Sequence, residues 1–195
     1  IADLGDLHDN TVAALQFVPP VQPGFVPAKV HIYTDGSYFP PSYDSYGDDF
    51  PPRSAWAMVF VLEGYDESLV FGGCVGDAID INLPTHVGFG SRCIGAASHS
   101  ALNAEYTADV YAILFALQSP LNCQFIIHGD CICPLFAGSG AHSWDSEPTP
   151  QFIASLVMAA QCVKSLQLAH VKSHCGHPWN EAADTVAKHC AFSQC

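Results

Sequence analysis

Residues able to do chemistry gather near the end of the sequence, in His170–Lys188, HVKSHCGHPWNEAADTVAK. A strand end (Leu166–Val171) leads into a short loop rich in His and Gly, then into a helix opening at Pro178. Proline is tolerated at a first helical position because its missing N–H would be unpaired there. On that helix Asn180 and Asp184 are four residues apart and share one face. A loop histidine, His174, therefore stands near a helix-borne carboxylate, as at the edge of an active site. Three more acids hold comparable places: Asp35 and Asp130 at predicted strand ends, and Glu105 in the first turns of a predicted helix. Several carboxylates converging on one point is unfavourable without cations, so such a cluster implies Mg²⁺ or Mn²⁺. Two such ions about 4 Å apart can generate an attacking hydroxide and stabilise the leaving oxygen of a phosphodiester.

Each acid also has a plainer reading. Asp35 before Gly36 could be a turn residue, and Asp130 could cap a following helix. Glu105 could be a solvated first-turn acid favoured by the helix dipole, the role expected of Asp109 four residues on. Asp184 could pair with Lys188 at i+4. The set His170, His174, Cys175, His177, His189 and Cys190 raises zinc, but its spacing fits no common zinc pattern.

The elements that must position these residues follow from the pattern. Lys29–Tyr33 (KVHIY) alternates as a strand and runs into Thr34-Asp35-Gly36-Ser37. Ala55–Glu63 and Ser68–Val75 are apolar strands joined by a turn at Gly64-Tyr65-Asp66. In Ser100–Leu117, Ala104, Ala108, Tyr111 and Phe115 repeat with helical spacing. Cys123–Ile127 is a buried strand, Cys131–Ala137 a short helix, and Thr149 the expected cap of a helix running from Pro150 to about Ser165. Phe39–Arg53, Gly76–Ser98 and Gly138–Pro148 read as loops. Three strands followed by α/β crossovers predict an α/β fold: a five-stranded mixed sheet with helices on both faces.

Composition bounds the rest. With 195 residues and 49% hydrophobic content, one core-forming domain is expected over 28–195, after a Pro-rich extension or linker, 1–27, whose apolar Val12–Val18 could dock onto it. No apolar run approaches the roughly twenty residues that span a bilayer, and no signal peptide is visible. The start at Ile1 suggests a piece of something longer. Nine cysteines without a CxxC pair, several in apolar stretches, favour reduced thiols and an intracellular (cytoplasmic or nuclear) setting. The net charge of −13, with no Lys or Arg between Arg92 and Lys164, conflicts with unaided nucleic-acid binding.

The ordered segments Tyr33-Thr34-Asp35-Gly36-Ser37, Ala104-Glu105, Gly129-Asp130 and Val171-Lys172-Ser173-His174-x-Gly176-His177-Pro178-x-Asn180-Glu181-x-x-Asp184 resemble type 1 ribonuclease H over about 29–189. The resemblance implies a ribonuclease H-like fold and two-metal hydrolysis of the RNA strand of RNA/DNA hybrids. Asp35, Glu105, Asp130 and Asp184 would hold two Mg²⁺ or Mn²⁺ ions, and His174 would be the mobile catalytic histidine. Gly36, Ser37 and Asn180 would lie at the substrate, with Trp179 a candidate for stacking on bases. Three departures stand out: a Pro/Tyr/Asp-rich loop after the Asp-Gly-Ser motif, no paired Asn before Glu105, and no basic protrusion in Cys131–Pro148. These departures resemble the ribonuclease H domain of a retrotransposon polyprotein, monomeric in isolation, where an adjacent reverse transcriptase grips the hybrid. Rival readings are a catalytically silent tether or binding domain of a reverse transcriptase, and a DNA nuclease or transposase on the same fold.

Overall fold

Strand β1 (Lys29–Phe39) is paired on both sides and sets the geometry of everything around it. The computed structural model describes residues 9–43, 49–79, 98–133 and 148–193. In chain order these hold α1 (Asp9–Phe17), β1, β2 (Ser42–Tyr43), β3 (Asp49–Phe50), β4 (Arg53–Glu63), β5 (Leu69–Ala78) and α2 (Ala101–Gln118). They continue with β6 (Gln124–Gly129), α3 (Pro148–Val163), β7 (Ser165–His170) and α4 (Pro178–Phe192). The main sheet has the order β5-β4-β1-β6-β7. β1 runs antiparallel to β4 from Lys29↔Glu63 to Phe39↔Arg53, and parallel to β6 from Lys29↔Gln124 to Thr34↔Gly129. This is the expected five-stranded mixed sheet.

Alternation along β1 divides the core in two. Val30 and Ile32 join Met58, Phe125 and Ile127 under α2 and α3. Tyr33 belongs to the other face, with Val59 and Val61 beneath Trp179, Ala182 and Ala183 of α4. Helices therefore cover both faces, as expected. Ser100 caps α2, its hydroxyl accepting from the Asn103 N–H at 3.0 Å. The apolar stretch near the N-terminus does dock: Ala14, Leu15 and Val18 pack on the α4 side. Beyond α1, the Phe71 N–H donates to Pro19 C=O and the Val21 N–H to Phe71 C=O, which covers part of the outer edge of β5.

Several boundaries differ from expectation. β1 does not end at Tyr33 but continues to Phe39, because β4 supplies antiparallel partners as far as Arg53. The Phe39–Arg53 stretch, expected to lack regular structure, contains the two-residue ladder β2–β3. β5 extends to Ala78, into the predicted Gly76–Ser98 loop, most of which lies outside the described residues. α3 starts at Pro148, so Thr149 lies inside its first turn rather than capping it. The predicted loop Gly138–Pro148, apart from Pro148 itself, and most of the predicted helix Cys131–Ala137 also fall outside the described residues. The seven cysteines among the described residues are all free thiols. Cys162 is exposed on α3 rather than buried, whereas Cys74 and Cys123 are half-buried. Among the described residues, no helix is long and apolar enough to cross a membrane.

Gly36 explains why the motif on β1 contains glycine. It sits inside a strand, not at a turn. A Cβ there would lie 2.3 Å from the Glu105 backbone nitrogen and 2.8 Å from the Ala104 Cβ, so α2 can approach β1 only where a side chain is missing. Gly36→Ala should destabilise the fold by about 2 kcal/mol or more, as overpacking against backbone does. Urea denaturation of the two chains checks this, and equal midpoints would show that α2 is free to move away.

Candidate active site

The parallel ladder ends at Thr34↔Gly129, so the next residues, Asp35 within β1 and Asp130 just past the end of β6, stand where the two strands part. α2, seated against Gly36, brings Glu105 to the same point. Carboxylate oxygens of Asp35, Glu105 and Asp130 all lie within 4.8 Å of one another. Burial raises the Asp35 pKa well above the usual carboxylate range, and the charges of Asp130 and Asp184 push it further. Burial likewise raises Glu105, with added repulsion from Asp35, Asp130 and Asp109. Both shifts favour a proton on one of the two acids. A hard divalent cation would replace that proton. The all-oxygen donor set and its excess negative charge fit Mg²⁺ or Mn²⁺.

A second group adjoins the first. His174, Glu181 and Asp184 bring ligand atoms within 4.8 Å of one another. Asp184 accepts a 2.6 Å ion-pair hydrogen bond from Lys188 Nζ at i+4, while its charge still reaches Asp35. His174 is exposed and adopts a left-handed backbone, φ 49°. The sequence alone assigns Glu181 no role. Here its Oε1 accepts the Gly176 N–H at 3.3 Å, tying α4 to the loop. Its signal in the sequence was an acid three residues before Asp184, on the same helical face. His177 lies against the Tyr33 ring at 4.9 Å, and burial lowers its pKa, so it packs as a neutral ring.

Other candidates sit differently from expectation. Asn180 is buried, and its Nδ2 donates to Asp130 Oδ2 at 3.1 Å, so it orients a carboxylate. Trp179 does not offer a stacking face: it is 6% exposed and packs against Phe71 at 5.9 Å. Hydrophobic burial won over the polar neighbourhood of the motif. Ser37 is buried and Gly36 is occupied by α2, so both build the wall of the site. Asp109 is not solvated. It is 4% exposed, its Oδ1 accepts the Thr34 hydroxyl at 2.7 Å, and burial pushes its pKa up to about 7. The Thr34 hydroxyl also lies 3.1 Å from His128 C=O, so this one side chain links α2, β1 and β6 directly below the carboxylates.

No protein-family model matches the chain, and no curated protein matches its sequence. Solved structures do match. RNase H1 from the halophilic archaeon Halobacterium salinarum is 20% identical over 85% of this chain and 98% of its own, with a TM-score of 0.55. The fold is that of ribonuclease H. LC11-RNase H1, solved in complex with an RNA/DNA hybrid, is 14% identical over 85% of this chain and 98% of its own, TM-score 0.55. A foamy viral protease-reverse transcriptase, solved with dsDNA, is 15% identical over 89% of this chain and 99% of its own, TM-score 0.53. The ribonuclease H fold thus accounts for the sheet order and for the elements that carry the acids.

The electrostatics give a pH dependence with a definite sign. Folded, Asp109 keeps its proton up to about pH 7; unfolded, it loses it near the ordinary value of 3.8. Between these pH values the folded chain binds more protons, so metal-free stability falls as pH rises, by at most ~1.4 kcal/mol per pH unit for one group. Asp109→Asn keeps an acceptor for Thr34 and should flatten that fall, as read by denaturation midpoints at pH 5 and pH 8. Asp130→Asn should raise the metal-free Tm by a few degrees by relieving repulsion on Asp35 and Glu105. An unchanged Tm would show that the three carboxylates do not feel one another.

Proposed function

We propose that this chain is a divalent-metal-dependent endoribonuclease that hydrolyses the RNA strand of RNA/DNA hybrids. The observation that carries the reading is the convergence of Asp35, Glu105 and Asp130, from three different elements, within 4.8 Å. The neighbouring His174, Glu181 and Asp184 support it, as does the likeness to a ribonuclease H solved with such a hybrid. Asp35, Glu105 and Asp130 would hold one Mg²⁺ or Mn²⁺ ion, and Asp184 with Asp35 a second. When bound, such a pair supplies an activated water and charge stabilisation for the departing oxygen. The chain's own residues set the geometry. Asn180 fixes one oxygen of Asp130, Gly36 lets Glu105 reach the cluster, and Thr34 holds the three backbones in register. His174, exposed at the rim, would move a proton at the leaving-group side. Hybrid recognition would rest on duplex shape and the RNA 2′-hydroxyls.

Binding is the weak part of this chemistry. Of six basic residues, Lys29 is paired with Glu63, Lys188 with Asp184, and Lys164 donates to the Ser119 and Leu121 carbonyls. An adjacent reverse transcriptase domain, in a retrotransposon polyprotein working inside the cell, would supply the missing grip. The likeness to the foamy viral chain supports that setting. The net charge of −13 favours the rival reading, a catalytically silent domain.

Cleavage of a labelled hybrid with Mg²⁺ or Mn²⁺, beside duplex DNA and duplex RNA, separates these readings. Hybrid-only, metal-dependent cutting that falls to background in Asp35→Asn is the expected result. No cutting by the folded chain, even fused to a basic hybrid-binding module, would establish the silent domain. Cutting of duplex DNA would point to a DNA nuclease. The unfused chain should bind hybrid with a shallow salt dependence, log Kobs falling with a slope no steeper than about −3 against log salt.

A further inference from the structure

We propose that α1 is a positioning element for the loop Ser173–Pro178, acting through Asn10 and Thr11. As a statement about turnover, this rests on His174 being a catalytic group. The loop is tightly bent: His174 has φ 49° and Gly176 φ 76°. A non-glycine residue in the left-handed region persists only where its surroundings hold it. Gly176, two residues beyond His174, is held on both of its backbone groups. Its N–H donates to Glu181 Oε1 of α4 at 3.3 Å, and its C=O accepts from Asn10 Nδ2 of α1 at 2.9 Å. Asn10 lies so close that a Cβ at position 176 would stand 2.5 Å from Nδ2. One residue on, the Thr11 hydroxyl donates to Pro178 C=O at 2.7 Å, where the loop becomes helix.

The anchor behind these contacts is packed against α4 and bonded to β5. Thr11 is fully buried, and Ala14, Leu15 and Val18 pack with Trp179, Ala182 and Ala183. Past the helix, Pro19 and Val21 are bonded to Phe71 of β5. α1 is thus fixed at one end to the sheet edge and at the other to the loop, across 166 and 167 residues of sequence. A helix serving only to cover α4 needs apolar contacts alone. Two side-chain donors aimed at loop and helix-start carbonyls set where the loop, and with it His174, is held.

Asn10→Asp tests this cleanly. Position 10 is in the first turn of α1, where a carboxylate favours the helix, so the helix is kept while the donor to Gly176 is lost. Thr11→Val, which keeps the shape and removes the hydroxyl, is the second variant. Amide hydrogen exchange is read on the metal-free chains, and steady-state cleavage of labelled hybrid with Mg²⁺. Exchange at Gly176 and its loop neighbours should speed up roughly five- to tenfold, with the α4 interior unchanged. kcat should fall severalfold while KM and the half-saturating Mg²⁺ concentration stay put. Unchanged loop exchange in both variants would overturn the proposal. So would acceleration spread evenly through α4 with activity falling only as the folded fraction falls. If the parent chain does not cut hybrid at all, the functional reading fails instead, and the exchange rates still decide whether α1 positions the loop.

Discussion

Holding the buried Asp35 beside the half-buried Glu105 and Asp130 is the constraint on which the rest of the structure depends. Three carboxylates within 4.8 Å repel one another, and the poorly hydrated surroundings make that repulsion stronger. Nothing local to any one of them would keep them there. What does is a central strand paired with β4 along its length and with β6 as far as Thr34, with helices packed on each face. Protonation, which the raised pKa values of Asp35 and Glu105 favour, would reduce that cost, as would a cation. Polar side chains just outside the cluster complete the arrangement. Thr34 fastens three elements together, and Asn180 holds one oxygen of Asp130.

Much of this was legible in the sequence because it is local. Alternation marked β1, helical spacing marked α2, and Pro178 marked the start of α4. The four acids could be named because each stands at a recognisable place in its own segment. What could not be read depends on distant partners. β1 continues past Tyr33 because β4 pairs with it, and Gly36 is needed for the approach of α2 rather than for a turn. Trp179 looked available because of its polar neighbours, yet Phe71, more than a hundred residues away, buries it. Asp109 looked like a surface acid because helical periodicity alone does not say that Thr34 and Gly129 lie beneath it. Glu181 was overshadowed by Asp184, and the contact with Gly176 that gives it a role needs the loop's left-handed bends.

Three of the described cations are engaged inside the domain. Lys29 joins Glu63, which also faces His31 at 3.0 Å, at the far end of β1 from the acids. Lys164 fastens the end of α2 to the beginning of β7, and Lys188 shields Asp184. Histidine and aromatic rings fill the space between: Tyr33 lies 4.5 Å from His128 and 4.9 Å from His177. Burial and its neighbours lower His128 to about 4, so this stack is neutral and acts by packing.

The order of the strands has a consequence for synthesis. β1, β4 and β5 all lie between residues 29 and 78, so three of the five main strands can pair while the ribosome is still making the chain. Asp35 is then in place with none of its acidic partners. Glu105 follows with α2, Asp130 only after β6 has slotted in beside β1, and Asp184 only with the last helix. The acid cluster is therefore incomplete until α4 has been made. The four acids stand together only once α4 has docked.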